Sequence, residues 1–275
     1  MKFIHFTDTH FVPRGKTLYG RDPRDVVDAL VADINARHAD AEAVVITGDL
    51  THWGEPEAFD NLAEALAPLA PPLKLLVGNH DDREIFSKAF PDQRRDENGF
   101  VQSVLETSAG LFVFLDTNLP GTHAGHYCER RCAWLADTLL RHRDRDLFLF
   151  MHHPPFDTGI RATDRIGLVQ KAEFRAVIEP HRARVRHLFY GHVHRPIAGS
   201  WLGIPATTLR ATNHQVWLDM AAEEIQGSFE PPAYCVVLAD PDTVVVHYHD
   251  FLDDSRKFEL HDSPWNDWSR RQNHL

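Results

Sequence analysis

The stretch Val44-Val45-Ile46-Thr47-Gly48-Asp49-Leu50 decides the fold. Its β-branched run reads as a fully buried strand, and such strands belong to sheets covered on both faces. The run stops at Gly48 and then at a carboxylate. A Gly-Asp pair after a strand is usually turn chemistry. A carboxylate is seldom buried, however, unless it is paired or holds a metal, and Asp49 follows directly on a buried run. The neighbouring strands end in similar groups, so Asp49 belongs to a series.

Upstream, Lys2 to Thr7 reads as a strand followed by Asp8-Thr9-His10. Positions i and i+2 of an extended chain point to one side, so Asp8 and His10 can converge on one ion. Asp22 as N-cap and Pro23 at the first helical position start a helix striped by Val26, Val27, Leu30, Val31 and Ile34. Downstream, a helix from about Glu55 to Leu69 carries Phe59, Leu62, Leu66 and Leu69. The strand Leu73-Lys74-Leu75-Leu76-Val77 then ends in Gly78-Asn79-His80-Asp81. This alternation predicts an α/β fold with parallel strands and right-handed crossovers. In open sheets of that kind the ligand site lies outside the carboxyl ends of the strands. All three polar clusters fall there.

A short helix over Arg83 to Phe90 precedes two strands, Phe100 to Glu106 and Leu111 to Leu115. The second closes on Asp116-Thr117-Asn118, and Asp116 reads as turn chemistry or as support behind a metal ligand. His123 and His126, in the following loop, are assigned no role. The helix Glu129 to Arg143 is flanked at its start by Cys128 and Cys132, read as packed thiols. Leu147 to Met151 is a buried strand ending in His152-His153-Pro154-Pro155, where the prolines forbid helix and hold His153 extended. After a helix from about Gly167 to Glu179, the strand Val185 to Tyr190 ends in Gly191-His192-Val193-His194. Two late hairpins follow, Ala198 to Leu202 with Ile204 to Thr208, and Tyr234 to Leu238 with Val244 to His249. They mark a switch to antiparallel character. Residues 1–215 thus read as one domain bearing the chemistry. Residues 216–275 read as strands and a tail that complete it. Trp217, Trp265 and Trp268 lie off the motif-bearing sheet and predict an interface with a second copy, hence a homo-oligomer, a dimer or larger.

Composition narrows the function. None of the 275 residues falls in an apolar run long enough to span a membrane, and the first residues enter a strand without signal-peptide anatomy. Three cysteines form no disulfide framework, which suits a cytoplasmic location. A net charge of −11 argues against extended nucleic acid, which calls for a basic face. The 19 histidines stand out, and neutral imidazole is a common transition-metal ligand.

The strand-end groups together are Asp8, His10, Asp49, Asn79, His152, His192 and His194. Seven such donors at one sheet edge suffice for two metal ions sharing a carboxylate. Bridged by Asp49, the ions would lie about 3.5–4 Å apart, the spacing with which two-metal hydrolases clamp attacking and leaving oxygens.

The order Asp-x-His, Gly-Asp, Gly-Asn-His-Asp, His, Gly-His-x-His over residues 8–194 resembles the signature of calcineurin-like metallophosphoesterases. The resemblance implies a four-layer α/β/β/α sandwich, here with a small antiparallel C-terminal extension. It implies one metal held by Asp8, His10, Asp49 and His194, and a second held by Asp49, Asn79, His152 and His192. His80 would sit near the phosphoryl group as a candidate general acid. Arg14 to Gly20, Met151 to Pro155 and Thr212-Asn213-His214-Gln215-Val216 are similar to the bacterial class III phosphodiesterases, which act on cyclic nucleotides or glycerophosphodiesters. By that likeness His214 contacts the phosphate, although Arg210-Ala211 stands where Pro-Gly is expected. His52 occupies the place of the purple acid phosphatase tyrosine, which argues against a tyrosinate-bound ferric ion. The expected activity is hydrolysis of small phosphodiesters by a metal-activated water. The expected cofactors are two divalent transition-metal ions, Mn, Fe, Co or Zn. The competing readings are a phosphatase or nuclease of the same superfamily, and a non-catalytic metal-binding scaffold. A scaffold predicts degraded ligands, and none of the seven is missing.

Overall fold

Phenylalanine and leucine alternate in Leu111-Phe112-Val113-Phe114-Leu115 and again in Leu147-Phe148-Leu149-Phe150-Met151. Successive strand residues face opposite sides, so each strand lays a phenylalanine row on one face and an aliphatic row on the other. The computed structural model, which describes residues 1–259, puts both rows to use.

The elements in chain order are β1 (Lys2–Phe6), α1 (Pro23–His38), β2 (Ala43–Thr47), α2 (Pro56–Leu66), β3 (Leu73–Leu76), α3 (Arg83–Ala89), β4 (Ser103–Thr107) and β5 (Gly110–Leu115). Then come α4 (Glu129–Arg141), β6 (Leu147–Met151), α5 (Arg161–Asp164), α6 (Lys171–Ile178) and β7 (Val185–Tyr190). The chain goes on through β8 (Ile197–Trp201), β9 (Ile204–Thr208), β10 (Gln215–Val216), β11 (Gly227–Ser228), β12 (Tyr234–Ala239) and β13 (Val244–His249).

One sheet has the order β13-β12-β1-β2-β3, and a second has β4-β5-β6-β7-β9-β8. β1, β2 and β3 run parallel, as do β5, β6, β7 and β9, while the antiparallel members are the outer strands β12, β13, β4 and β8. The sheets meet through aromatic edges. The Phe3 ring lies 4.9 Å from Phe112 and 5.4 Å from Phe189, and Phe150 stacks on Phe189 at 5.2 Å. The aliphatic row of the second sheet packs instead on Leu135, Leu139, Phe174 and Ile178 of α4 and α6. On the first sheet Ile4, Val44 and Ile46 share an apolar cluster with Val27, Leu30 and Ile34 of α1 and with Phe59 and Leu62 of α2. This is the α/β/β/α sandwich expected from the sequence.

Two boundaries differ from the sequence reading for local reasons. The strand expected from Phe100 begins at Ser103, because Phe100 N–H donates to Asp96 and Val101 N–H to Asp116 rather than to a ladder. The helix expected from Gly167 begins at Lys171, because Gly125 and Leu168 form a β-bridge. The late hairpins join the edges of the two sheets. β12 pairs with β1 from Lys2↔Leu238 to His5↔Cys235. Trp217 is exposed, and Trp265 and Trp268 lie outside the described residues. No helix among the described residues is long and apolar enough to cross a membrane.

Candidate metal centre

Beyond the hydrogen-bonded ends of β1 and β2 the two chains continue side by side. Asp8 N–H donates to Gly48 O at 3.1 Å and His10 N–H to Asp49 O at 2.9 Å. Here the backbone becomes left-handed: φ is 56° at Asp8, 46° at His10 and 48° at Asp49. The same holds after β7, with 70° at His192 and 46° at His194. Such conformations are disfavoured for residues with a Cβ and gather at functional sites. They turn five side chains back over the carboxyl edge of the sandwich. Glycine is required at Gly78, where a Cβ would collide with Asp49 Oδ1, and at Gly191, where it would collide with Thr7 Oγ1.

Two donor sets result. Asp8, His10, Asp49 and His194 offer ligand atoms all within 4.8 Å of one another. His194 Nε2 lies 3.1 Å from His10 Nε2 and 3.2 Å from Asp8 Oδ1. In the other set, Asn79 Oδ1 lies 3.2 Å from His152 Nε2 and 3.1 Å from His192 Nδ1. Asp49 Oδ2 stands between the sets, 3.7 Å from His10 Nε2 and 3.3 Å from His152 Nε2. Its other oxygen accepts from His80 N–H at 2.9 Å. The Asp8 carboxylate is held in turn by His192 N–H.

The hydrogen bonds settle which ring nitrogens are free. His152 Nδ1–H donates to Thr47 O and His194 Nδ1–H to His214 O, both at 2.8 Å, so each leaves Nε2 facing its set. His153 also lies within 4.8 Å of His152 and His192. Both of its nitrogens are engaged, however, Nε2–H with His123 O at 3.1 Å and Nδ1 with Thr117 Oγ1 at 2.8 Å. It supports its neighbours and has no lone pair to give. Imidazole nitrogens and carboxylate oxygens that converge in this way fit divalent cations of the borderline class.

Burial opposes charge at every group; the partners overcome it at Asp49 and His152, and burial prevails at His192 and His214. Against that burial, His152, His80 and His10 hold Asp49 well below the usual carboxylate range. Asp49 and then Asp8 push His152 up to about 9. Burial, reinforced by His152, pushes His192 down to about 3. His214 is likewise pushed down to about 3 by burial and then by His194, which keeps it neutral.

Some supporting residues escaped the sequence reading. Asp81, at 6% exposure, accepts from Leu50 N–H, Thr51 N–H, the Thr51 hydroxyl and Gly78 N–H at 2.9–3.0 Å. It ties the turn bearing Asp49 to the turn bearing Asn79. His123, assigned no role from sequence, lies with Nδ1 3.0 Å from Asn79 Nδ2 and its ring 5.1 Å from His80. His52 stacks on His80 at 5.0 Å, with Nδ1 3.2 Å from His10 Nδ1. Asp116 is paired by Arg83 and Arg131. Neighbouring Asn118 donates to Gly78 O and Asp81 O, which steadies the Asn79 turn from behind. No sequence signal marks His123, whose partner lies 44 residues away.

A two-sheet sandwich with clustered His and Asp donors at its carboxyl edge defines a metallophosphoesterase. Residues 1–196 match the calcineurin-like phosphoesterase family, and the chain belongs to it. It is 48% identical over 268 residues to a probable cyclic nucleotide phosphodiesterase of Rhodopseudomonas palustris, covering 96% of this chain and 97% of the relative. It is 30% identical to a probable glycerophosphodiester phosphodiesterase of Arcobacter nitrofigilis, covering 85% and 86%. A dimetal phosphatase from Danio rerio shares the fold at a TM-score of 0.68 and 14% identity, with 90% and 95% covered. The chain is an enzyme of metal-dependent phosphoric ester hydrolysis.

Proposed function

We propose that the protein is a binuclear phosphodiesterase acting on small phosphodiesters, cyclic nucleotides or glycerophosphodiesters. The observation that carries this reading is the place of Asp49, with Oδ2 between two donor sets and Oδ1 fixed by a backbone N–H. Asp8, His10, Asp49 and His194 would hold one ion. Asp49, Asn79, His152 and His192 would hold the other. Bound there, two divalent ions of the Mn, Fe, Co or Zn class would supply Lewis acidity and lower the pKa of a water between them.

The remaining work falls to the chain's own residues. His80 Nδ1–H is committed to His52 O at 2.7 Å, so its Nε2 faces the cavity. A protonated Nε2 gives its proton to the departing alkoxide. His214 Nδ1 lies 3.4 Å from Asn213 Nδ2, which leaves Nε2–H to donate to a phosphoryl oxygen.

A diester fits this pocket better than a monoester. Among the described residues no arginine or lysine lines the metal-centre cavity, and Arg14 and Arg210 are committed to Glu64 and Asp250. A dianionic monoester is ordinarily met by such a cluster. The names of the two relatives support the same substrate classes. The test is metal analysis with hydrolysis of bis(p-nitrophenyl) phosphate. Asp49→Ala should empty both sites together and Asp8→Ala chiefly one; equal losses from both would sink the assignment. On one metal-loaded preparation, a preference for p-nitrophenyl phosphate over cyclic AMP and glycerophosphoethanolamine would make the enzyme a phosphatase instead.

A further inference from the structure

A second cavity, of about 350 Å3, opens beside the metal centre and shares Tyr19, His214, Val216 and Ile225 with it. Phe229 also lines it. Three of its large side chains face solvent, Tyr19 at 59%, Ile225 at 48% and Phe229 at 54% exposure. Apolar groups gathered uncovered on a concave wall mark a place where something apolar is received.

Tyr19 is held at this wall against its own backbone preference. Its φ is +53° and that of Gly20 is +79°, in a turn closed by reciprocal backbone hydrogen bonds between Leu18 and Arg21 at 2.8 and 3.1 Å. Positive φ at both central positions suits asparagine and glycine, and a bulky aromatic there is an outlier. The turn sets the Tyr19 ring 4.8 Å from His214, at 67°. His214 in turn lies 4.7 Å from His194 and 4.9 Å from His10. A line of rings therefore runs from the donor sets into the cavity.

The chemistry of the wall limits what can enter. Gln215 is closed on Ala211, donating to its O and accepting from its N–H at 2.8 Å each, and the Ser228 hydroxyl donates to Glu230 at 2.8 Å. A glycerol arm would bring hydroxyls to a wall where the Gln215 amide and the Ser228 hydroxyl are already engaged. A cationic head group is disfavoured too, because the Arg21 guanidinium sits 4.0 Å over the Phe229 ring. An uncharged flat group satisfies both limits.

We infer that this cavity seats the aromatic base of a nucleoside phosphodiester, stacked on Tyr19, while its phosphate reaches the donor sets past His214. The inference rests on the diesterase reading and selects, from its two substrate classes, the one that carries a base.

The test compares kcat/KM for cyclic AMP with that for glycerophosphoethanolamine in metal-loaded wild type, Tyr19→Ala and Tyr19→Phe. Tyr19→Ala should lower the ratio about tenfold, the effect of losing one base–aromatic stack, and Tyr19→Phe should keep it. A ratio that does not move in Tyr19→Ala, or that falls as far in Tyr19→Phe, overturns the stacking. A second readout needs no variant to fold: 2-aminopurine riboside 3′,5′-cyclic phosphate should lose fluorescence on binding the wild type, and binding without quenching overturns the inference. Wild type that quenches the probe yet hydrolyses neither diester would instead refute the diesterase reading and leave the base site standing.

Discussion

Replacing Asp81 by alanine should weaken metal binding at both sites without altering any of the seven donor residues. Three buried N–H groups, those of Leu50, Thr51 and Gly78, would lose their acceptor. At about 1–3 kcal/mol for each orphaned group, and allowing for water entry, the loss is about 3–5 kcal/mol. A second effect runs the other way. Burial, and then Asp49, push the Asp81 carboxyl up to about 6 from an ordinary 3.8. A folded pKa above the unfolded one means that stability from this group is full below about pH 4 and is lost as pH rises through 6. At pH 7.5 removing the charge therefore returns about 3 kcal/mol.

The two effects nearly cancel, so metal-free Asp81→Ala should unfold in urea within about 2 kcal/mol of wild type. The damage should appear instead in the turns that aim Asp49 and Asn79. Metal content after gel filtration should fall at both sites, and kcat/KM on bis(p-nitrophenyl) phosphate should drop about 100-fold, as misplacement of a catalytic constellation by about 1 Å does. Full metal retention and wild-type kcat/KM in a folded Asp81→Ala protein would refute the reasoning.

His123→Ala removes the partner of Asn79 Nδ2 and should weaken the ion on the His152 side about 10- to 100-fold in calorimetric titration, with the His10 side less affected. Equal weakening of both would count against it. Burial keeps His5 and His187 neutral, with pKa pushed down to about 3 and about 4, and their rings pair with the Thr47 and Thr207 hydroxyls. Both bind a proton only on unfolding, so stability is full above about pH 6.5 and falls as pH drops toward 4; by pH 5 each costs about 2 kcal/mol. In His187→Gln the loss between pH 7.5 and 5 should shrink by that amount, and an unchanged loss would be contrary evidence. Chelation should abolish activity while the far-ultraviolet circular dichroism keeps its native form, and global unfolding in chelator would contradict this.

The sandwich was legible because its strands are written in one code. Each buried run is bounded by glycine, proline or a polar group, and the first helix is capped at Asp22. The Phe/Leu alternation in β5 and β6 separates the face that meets the other sheet from the face that meets the helices, an assignment the structure supplies. Strand termini were legible wherever a ladder sets them. They were misplaced at Phe100, where side-chain carboxylates take the backbone donors. The candidate ligands could be picked out because each ends a strand, so that sequence position fixes spatial position. His123 could not, since its loop reaches Asn79 only through the packing of two sheets. Asp81 sat in plain view within Gly-Asn-His-Asp. Its function depends on three N–H groups from two separate turns, and no sequence pattern lists its partners.

The backbone explains how these donors are brought together. Five of the seven lie at positive φ, a conformation that disfavours a residue with a Cβ by about 1–2 kcal/mol. Something other than local preference must hold them there. Leu50 and Thr51 are fixed by Asp81, Asp49 by the His80 N–H and Asp8 by the His192 N–H. Each of these contacts joins turns from different strands, so the strain is carried by the sandwich and not by any one loop. Cation binding then needs little rearrangement, and its affinity is not spent on ordering the site. The same rigidity makes the bridging position unforgiving. Asp49 has Gly78 against one oxygen and both donor sets against the other, so lengthening it to glutamate should disrupt both sites, although the charge is unchanged.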